Sequence, residues 1–155
     1  MYSIIIRGNQ QSGKSTTIRE VCRLLKSKKV SIIDLWAKII KPNGVLIDEI
    51  YNGTYILEYE GKIILVIAGA PTEQEKTVTQ IIEICIELKI SIDFIISAMR
   101  SKEMKLSFDT INEIKRISTL LQIFKIKKIE GDDYQESIEW KDRISNILKV
   151  VNDNL

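Results

Sequence analysis

The sequence predicts an α/β fold with helices on both faces of a mostly parallel sheet. Short apolar runs typical of buried strands alternate with segments whose apolar residues recur at helical spacing along the 155 residues. One run, residues 63–67, is apolar on both faces and should form a central strand. Strands that alternate with helices build sheets covered on both sides, and this length suits one domain. We therefore expect a single domain over residues 1–155 with three layers, α/β/α.

The first part of the chain predicts a strand, a loop, a helix and a second strand. The apolar residues 3–7 indicate the first strand. A helix is expected over residues 14–27, because four apolar residues share one of its faces: Ile18, Val21, Cys22 and Leu25. Residues 30–35 indicate the second strand, whereas residues 36–52 carry no clear pattern.

A β-hairpin and a second long helix are expected next. Residues 55–59 and 62–68 predict two strands joined by a tight turn, the one antiparallel pair expected in the sheet. The helix should begin after Pro71, where Thr72 and Glu75 have the spacing of a capping box.

The remaining elements continue the alternation. Residues 92–98 predict a strand, residues 111–121 a helix, and residues 122–129 a lysine-bearing strand at the edge of the sheet. The last helix should begin near Asp133, which has N-cap spacing with Glu136.

Composition excludes several classes of protein. The 23 basic and 21 acidic residues leave a net charge of +2, so nucleic acid is not indicated as a partner. The absence of His removes Ser-His and Cys-His catalysis. Cys22 and Cys85 lie too far apart in sequence to suggest a disulfide framework or a zinc site. No signal-peptide pattern and no apolar run of ~20 residues occurs, so we expect a cytoplasmic protein without a membrane partner.

One motif carries the chemistry. It matches G-x-x-x-x-G-K-[S/T] at every fixed position and consists of Gly8, Asn9, Gln10, Gln11, Ser12, Gly13, Lys14 and Ser15. A loop of this kind, between a strand and a helix, turns amide N–H groups toward a bound phosphate. Lys14 should reach the β- and γ-phosphates, as a binding and a catalytic group, and the Ser15 hydroxyl should bind Mg²⁺.

Through this motif the chain resembles the P-loop NTPase superfamily, specifically over about residues 1–30. The resemblance implies a nucleoside triphosphate with Mg²⁺, and a contact from Thr16 to the α-phosphate. The Asp-x-x-Gly and Asn-Lys-x-Asp motifs of small GTPases are missing, so we expect ATP to bind at least as well as GTP. More loosely, the chain resembles small P-loop proteins of bacteria and phages, and nucleotide kinases.

The superfamily also implies an acidic residue at the end of an apolar strand, where it holds Mg²⁺ through water. Here that strand is followed by residues 68–71, which contain no acid. Asp34, at the end of the second expected strand, is the best substitute, and Glu73 and Glu75 come next. We therefore expect Ser15 and Asp34 to form the metal site.

Arg100 and Lys102 follow a predicted strand, so they should lie at the edge of the sheet where ligands bind. A cation there could neutralise charge on a transferring phosphoryl group. Residues 100–105 also resemble a short lid, and the alternative is an ordinary solvated loop.

Two functional hypotheses follow. The first is ATP-dependent phosphoryl transfer to water or to a small acceptor such as a nucleoside or nucleotide. The second is a nucleotide-gated interaction module with little or no catalysis, whose bound nucleotide changes the affinity for a protein partner or a second copy. A complete metal site and a lid favour the enzyme, whereas the missing acid favours the module.

Overall fold

The computed structural model describes residues 1–155 as an α/β structure with a seven-stranded mixed sheet. The strands are β1 (Tyr2–Gly8), β2 (Lys29–Asp34), β3 (Ile39–Ile40), β4 (Thr54–Tyr59), β5 (Lys62–Ile67), β6 (Phe94–Arg100) and β7 (Thr119–Lys125). The helices are α1 (Lys14–Leu25), α2 (Pro71–Gln74), α3 (Val78–Glu87), α4 (Thr110–Ile117) and α5 (Ile138–Asp153). Short 3₁₀ turns occupy Ile47–Glu49 and Tyr134–Glu136. None of the helices combines the length and the apolar character needed to span a bilayer.

The strand order is β3-β2-β4-β5-β6-β1-β7. The pairs β5–β6, β6–β1 and β1–β7 are parallel, and the pairs β3–β2, β2–β4 and β4–β5 are antiparallel. The sheet is therefore mixed, which corrects the expectation of a mostly parallel sheet with one antiparallel pair. The hairpin β4–β5 is the antiparallel pair that was expected, and Glu60 and Gly61 with φ angles of 48° and 76° reverse the chain there. The difference arises at β2, which pairs antiparallel with both β3 and β4.

Side chains of the central strands alternate between two apolar clusters. Ile4 and Ile6 of β1 lie in a cluster that includes α1 and α5. Ile5, between them, lies in a second cluster that includes α3 and α4. Successive side chains of a strand point to opposite faces, so the two clusters lie on opposite faces of the sheet. The prediction that β5 is central is confirmed, because β5 lies between β4 and β6 and the side chains of its last four residues are buried.

The expected capping box at Thr72 and Glu75 is wrong. Helix α2 lasts one turn and ends because Glu75 adopts a left-handed conformation with φ of 57°. Helix α3 begins after Thr77, whose side chain accepts a hydrogen bond from the Gln80 amide, while the Gln80 side chain returns one to the Thr77 amide. The same spacing occurs twice in this segment, and the second occurrence caps the long helix.

Two boundaries near the C-terminus also differ from the expectations. Helix α4 ends at Ile117, and β7 begins at Thr119, so the last residues of the predicted helix belong to a strand. Helix α5 begins at Ile138 with Ser137 as its N-cap, not near Asp133. Strand β7 lies at the edge of the sheet, as predicted.

Candidate functional site

A cleft of about 700 Å³ opens beside the ends of β1 and β6. Parallel strands bring their carboxyl ends to one edge, so Gly8 and Arg100, which pair across β1 and β6, meet there. The cleft is lined by residues 10–16, Tyr51, Asn52, Glu73, Arg100, residues 128–132, Tyr134, Trp140 and Arg143. Its size is typical of pockets for small molecules and cofactors.

The phosphate loop, residues 8–15, turns sharply between β1 and α1. Gln11 and Gly13 have φ angles of 62° and 91°, in the left-handed region that glycine adopts without strain. Gly8 is needed for a different reason, because a Cβ there would lie 2.3 Å from the Ser12 hydroxyl and 3.0 Å from the Ile126 carbonyl oxygen. The two glycines of the motif thus permit the turn and the close packing under it.

The amide groups at the start of α1 have no acceptor within the protein. Gly13, Lys14, Ser15 and Thr16 donate no main-chain hydrogen bond to another residue, as is usual for the first turn of a helix. Ser12 is buried, and its hydroxyl has no hydrogen-bond partner. Such a set of free donors at a helix N-terminus attracts anions.

Lys14 is folded back over the loop. Its Nζ donates hydrogen bonds to the carbonyl oxygens of Gly8 at 3.1 Å and Asn9 at 2.9 Å, and the residue is 6% exposed. Burial lowers the pKa of the Lys14 ammonium below its ordinary value, the negative charge of Glu73 opposes this, and the positive charge of Arg100 adds to it. The ammonium therefore lies among neutral carbonyl acceptors, with the negative charge of Glu73 and the positive charge of Arg100 nearby.

The Ser15 hydroxyl contacts two further segments. Its Oγ lies 2.9 Å from Oδ1 of Asn52 and 2.9 Å from the carbonyl oxygen of Ala68, which follows β5. Asn52 was not predicted as a site residue, although the Asn52-Gly53 pair is a turn signal directly before a strand. The carbonyl of Ala68 lies where the superfamily pattern implies a carboxylate.

The structure does not bring Asp34 to Ser15. Strands β4, β5 and β6 separate β2 from β1, a distance of about 19 Å at the usual strand spacing. Asp34 Oδ1 instead accepts hydrogen bonds from the amides of Trp36 at 3.0 Å and Ala37 at 2.9 Å, and these bonds lower the pKa of its carboxyl group. The residue closes a turn after β2 and does not line the cleft. No group of three or more His, Cys, Asp or Glu side chains is placed to hold a metal ion.

The two predicted cations differ in position. Arg100 lines the cleft, and its Nε donates to Glu73 Oε1 at 2.9 Å in a half-buried ion pair. Lys102 is exposed and does not line the cleft. Glu75 also lies outside it and pairs with Lys105 at 3.5 Å. Of these two cations and two glutamates, only Arg100 and Glu73 line the cleft together with the phosphate loop.

Arg143 of α5 was not identified from the sequence. Its guanidinium donates to the Thr17 hydroxyl at 3.3 Å and to the Lys127 carbonyl, and stacks over the Trp140 ring at 5.6 Å from its centroid. Burial lowers its pKa below the ordinary value. The sequence does carry one signal for Arg143, because this charged residue lies next to the apolar residues Trp140 and Ile144 of α5. The contacts join α5 and the loop after β7 to the N-terminal part of α1.

This chain matches no protein-family model, no curated protein and no solved structure. The candidate function therefore rests on the residues of the cleft.

Proposed function

We propose that the chain is a three-layer α/β/α P-loop protein that binds a nucleoside triphosphate, ATP at least as well as GTP, with Mg²⁺. We further propose that it transfers the γ-phosphoryl group to water or to a small acceptor such as a nucleoside or nucleotide. Two observations support the proposal: the motif of residues 8–15, and a cleft beside it that is large enough for a nucleotide.

The arrangement around Lys14 is the observation that carries this proposal. A buried ammonium bonded to the Gly8 and Asn9 carbonyls lies beside a set of main-chain amides that have no acceptor. Phosphate oxygens would accept from those amides, and Lys14 would exchange its two neutral acceptors for charged ones. Hydrogen bonds to charged groups are stronger than neutral ones, so the exchange favours a polyphosphate.

The remaining groups of the cleft fit phosphoryl transfer, in which catalysis consists mainly of positioning and charge neutralisation. Arg100 supplies a second cation at the same edge of the sheet as Lys14. The hydroxyl oxygen of Ser15 is a hard donor of the kind Mg²⁺ prefers, and it would hold the ion. When bound, Mg²⁺ would neutralise charge on the β- and γ-phosphates. Glu73, which lines the cleft and pairs with Arg100, would orient an attacking hydroxyl or water.

A titration with a fluorescent ATP analogue tests the proposal. Lys14→Ala should lower the affinity by about 100-fold or more, because it removes a buried charge from the phosphate site. Lys102→Ala, which removes an exposed lysine outside the cleft, should bind like the wild type and serves as the matched control. Equal affinity in the wild type and Lys14→Ala would refute the nucleotide site.

A nucleotide-gated interaction module is the second candidate. The observation that favours it is the lack of a carboxylate after β5, where residues 68–70 are Ala, Gly and Ala. Hydrolysis should be measured with water alone and then with nucleosides and monophosphates as acceptors. Tight binding without turnover under all of these conditions would favour the module over the enzyme.

A further inference from the structure

Oxygen atoms of Ser15, Asn52 and Ala68 lie close together beside the phosphate loop. Among these three atoms, only the Ser15 hydroxyl has a proton to donate. Ser15 Oγ lies 2.9 Å from both Asn52 Oδ1 and the Ala68 carbonyl oxygen. A hydroxyl group carries one proton, whereas an amide oxygen and a main-chain carbonyl oxygen can only accept. With Oδ1 rather than Nδ2 of the Asn52 amide turned toward it, the Ser15 hydroxyl can donate to one of its two neighbours, and the other oxygen faces it without a proton between them.

We propose that Asn52 supplies, through Oδ1, the second protein ligand of the magnesium ion beside Ser15, in place of the missing carboxylate. The inference rests on the proposed nucleotide function. With its proton donated to the Ala68 carbonyl, Ser15 Oγ leaves its lone pairs for a cation together with Asn52 Oδ1. Hydroxyl and amide oxygens are hard ligands that suit Mg²⁺, so the donor set fits this ion.

The backbone around Asn52 is fixed against the end of β5. The carbonyl oxygen of Gly53 accepts hydrogen bonds from the Ala68 amide at 2.8 Å and the Gly69 amide at 3.2 Å. A Cβ on Gly69 would lie 2.5 Å from the Asn52 carbonyl oxygen, so only glycine allows this approach. The close packing holds the Asn52 side chain near Ser15, although the side chain itself is exposed.

The absence of charge on Asn52 has a measurable consequence. Affinity for a divalent cation rises with the number of charged ligands, and this pair contributes none. The phosphates must then supply the negative charge, so the protein alone should bind the ion weakly. Asn52→Asp should restore a carboxylate and strengthen metal binding, whereas Asn52→Ala should weaken it.

The experiment measures the affinity for the fluorescent ATP analogue in excess Mg²⁺ and in EDTA. We expect Asn52→Ala to lower the affinity in Mg²⁺ by about tenfold, as loss of a partner at a metal site commonly does, and to leave the affinity in EDTA unchanged. We expect Asn52→Asp to bind Mn²⁺ about tenfold more tightly than the wild type by electron paramagnetic resonance. Asn43→Ala, an exposed asparagine outside the cleft, is the matched control and should resemble the wild type.

The two proposals fail in different ways. Asn52→Ala with an unchanged effect of Mg²⁺ would overturn the role of Asn52 while leaving nucleotide binding intact. An equal loss of affinity in Mg²⁺ and in EDTA would also overturn it, because the side chain would then act on the nucleotide directly. A wild-type protein that binds no nucleotide in either condition would overturn both proposals. Thermal melting without ligand checks that each variant is folded.

Discussion

In the candidate site, the environment of the Lys14 side chain differs strongly from that of an exposed lysine. Its ammonium is desolvated, and its pKa lies below the ordinary value of 10.5. Between the lowered pKa and 10.5 the unfolded chain binds more protons than the folded one, so this group's contribution to stability rises with pH in that window. A bound polyphosphate would favour the charged form and raise the pKa again.

ATP affinity should therefore decrease as the pH rises through the lowered pKa of Lys14. The terminal phosphate, with a pKa near 6, is fully ionised above about pH 8, so a loss of affinity between that pH and 10.5, the ordinary pKa of a lysine, arises from the protein. The dissociation constant should be measured by fluorescence at several pH values in this range. Lys14→Arg keeps its charge and should show no such decrease. A wild-type affinity independent of pH over the range would contradict the assigned ammonium.

Arg100 is expected to act on the transferring phosphoryl group more than on the bound nucleotide. Once turnover is detected, Arg100→Ala should lower kcat by about tenfold or more, which corresponds to about 1.4 kcal/mol, with a smaller change in nucleotide affinity. Because this substitution also leaves Glu73 without its partner, Glu73→Gln alone and the double variant complete a mutant cycle that separates the two effects. Lys102→Ala should leave kcat unchanged, and equal kcat in Arg100→Ala would remove Arg100 from the catalytic groups.

The residues of the phosphate loop form one contiguous motif, so the sequence alone could predict that they lie together. Residues 10–16 line the cleft together, and Gly8 and Asn9 hold Lys14. The prediction of Asp34 as a metal ligand rests on the rule that parallel strand ends gather at one edge. That rule gives no order of strands, and three strands separate it from the loop. Asn52 lies in the site because it contacts Ser15, and no spacing in the sequence predicts that contact.

At the scale of elements, the break between α2 and α3 is set by tertiary contacts. The Gln74 side chain accepts a hydrogen bond from the Thr54 hydroxyl at 2.9 Å and donates to the Gly69 carbonyl. These contacts hold the single turn of α2 against the end of the hairpin, and the chain then reverses at Glu75. Two capping patterns follow one another in this segment, and local sequence could not decide between them because Thr54, which holds α2 through Gln74, lies on another strand.

A pair of threonine substitutions distinguishes the two caps. Thr77→Ala removes the hydrogen bond from the Gln80 amide and should lower the free energy of unfolding by about 1 kcal/mol. Thr72→Val should change it by no more than about 0.5 kcal/mol, or raise it, because the Thr72 hydroxyl is buried without a partner. Urea denaturation measures both changes. A larger loss in Thr72→Val than in Thr77→Ala would contradict the observed helix start.

For the whole molecule, the alternation of strands and helices predicted an α/β fold, and the apolar pattern placed β5 correctly at the centre. The two further antiparallel pairs could not be predicted, because the two residues of β3 are too few to show a period and the alternation of elements does not reveal that β2 pairs with β4. The strand order matters for function, since it places β6 beside β1 and brings Arg100 level with Gly8. The cleft consequently combines segments from the start, middle and end of the chain.

Because the cleft joins distant segments, nucleotide binding should stabilise the protein as a unit. ATP at about 100 times its Kd should raise the free energy of unfolding by about 2.7 kcal/mol, or the melting temperature by roughly 5–10 °C. The reactivity of two buried thiols can show whether ATP stabilises the whole fold or only one part of it. Cys22 belongs to the cluster around α1 and α5, and Cys85 belongs to the cluster around α3 and α4.

Burial raises the pKa of the Cys22 thiol to about 12 and that of the Cys85 thiol to about 11, so neither should react with a disulfide reagent while the fold is intact. If labelling requires global unfolding, ATP should slow the reaction of both thiols by the same factor, measured by mass spectrometry of the labelled peptides. Lys14→Ala, which lacks the phosphate contact and binds about 100-fold more weakly, should show at most about twofold slowing at the same ATP concentration and serves as the control. Protection of Cys22 alone would contradict the expectation, because it would confine stabilisation to the face that carries α1 and α5.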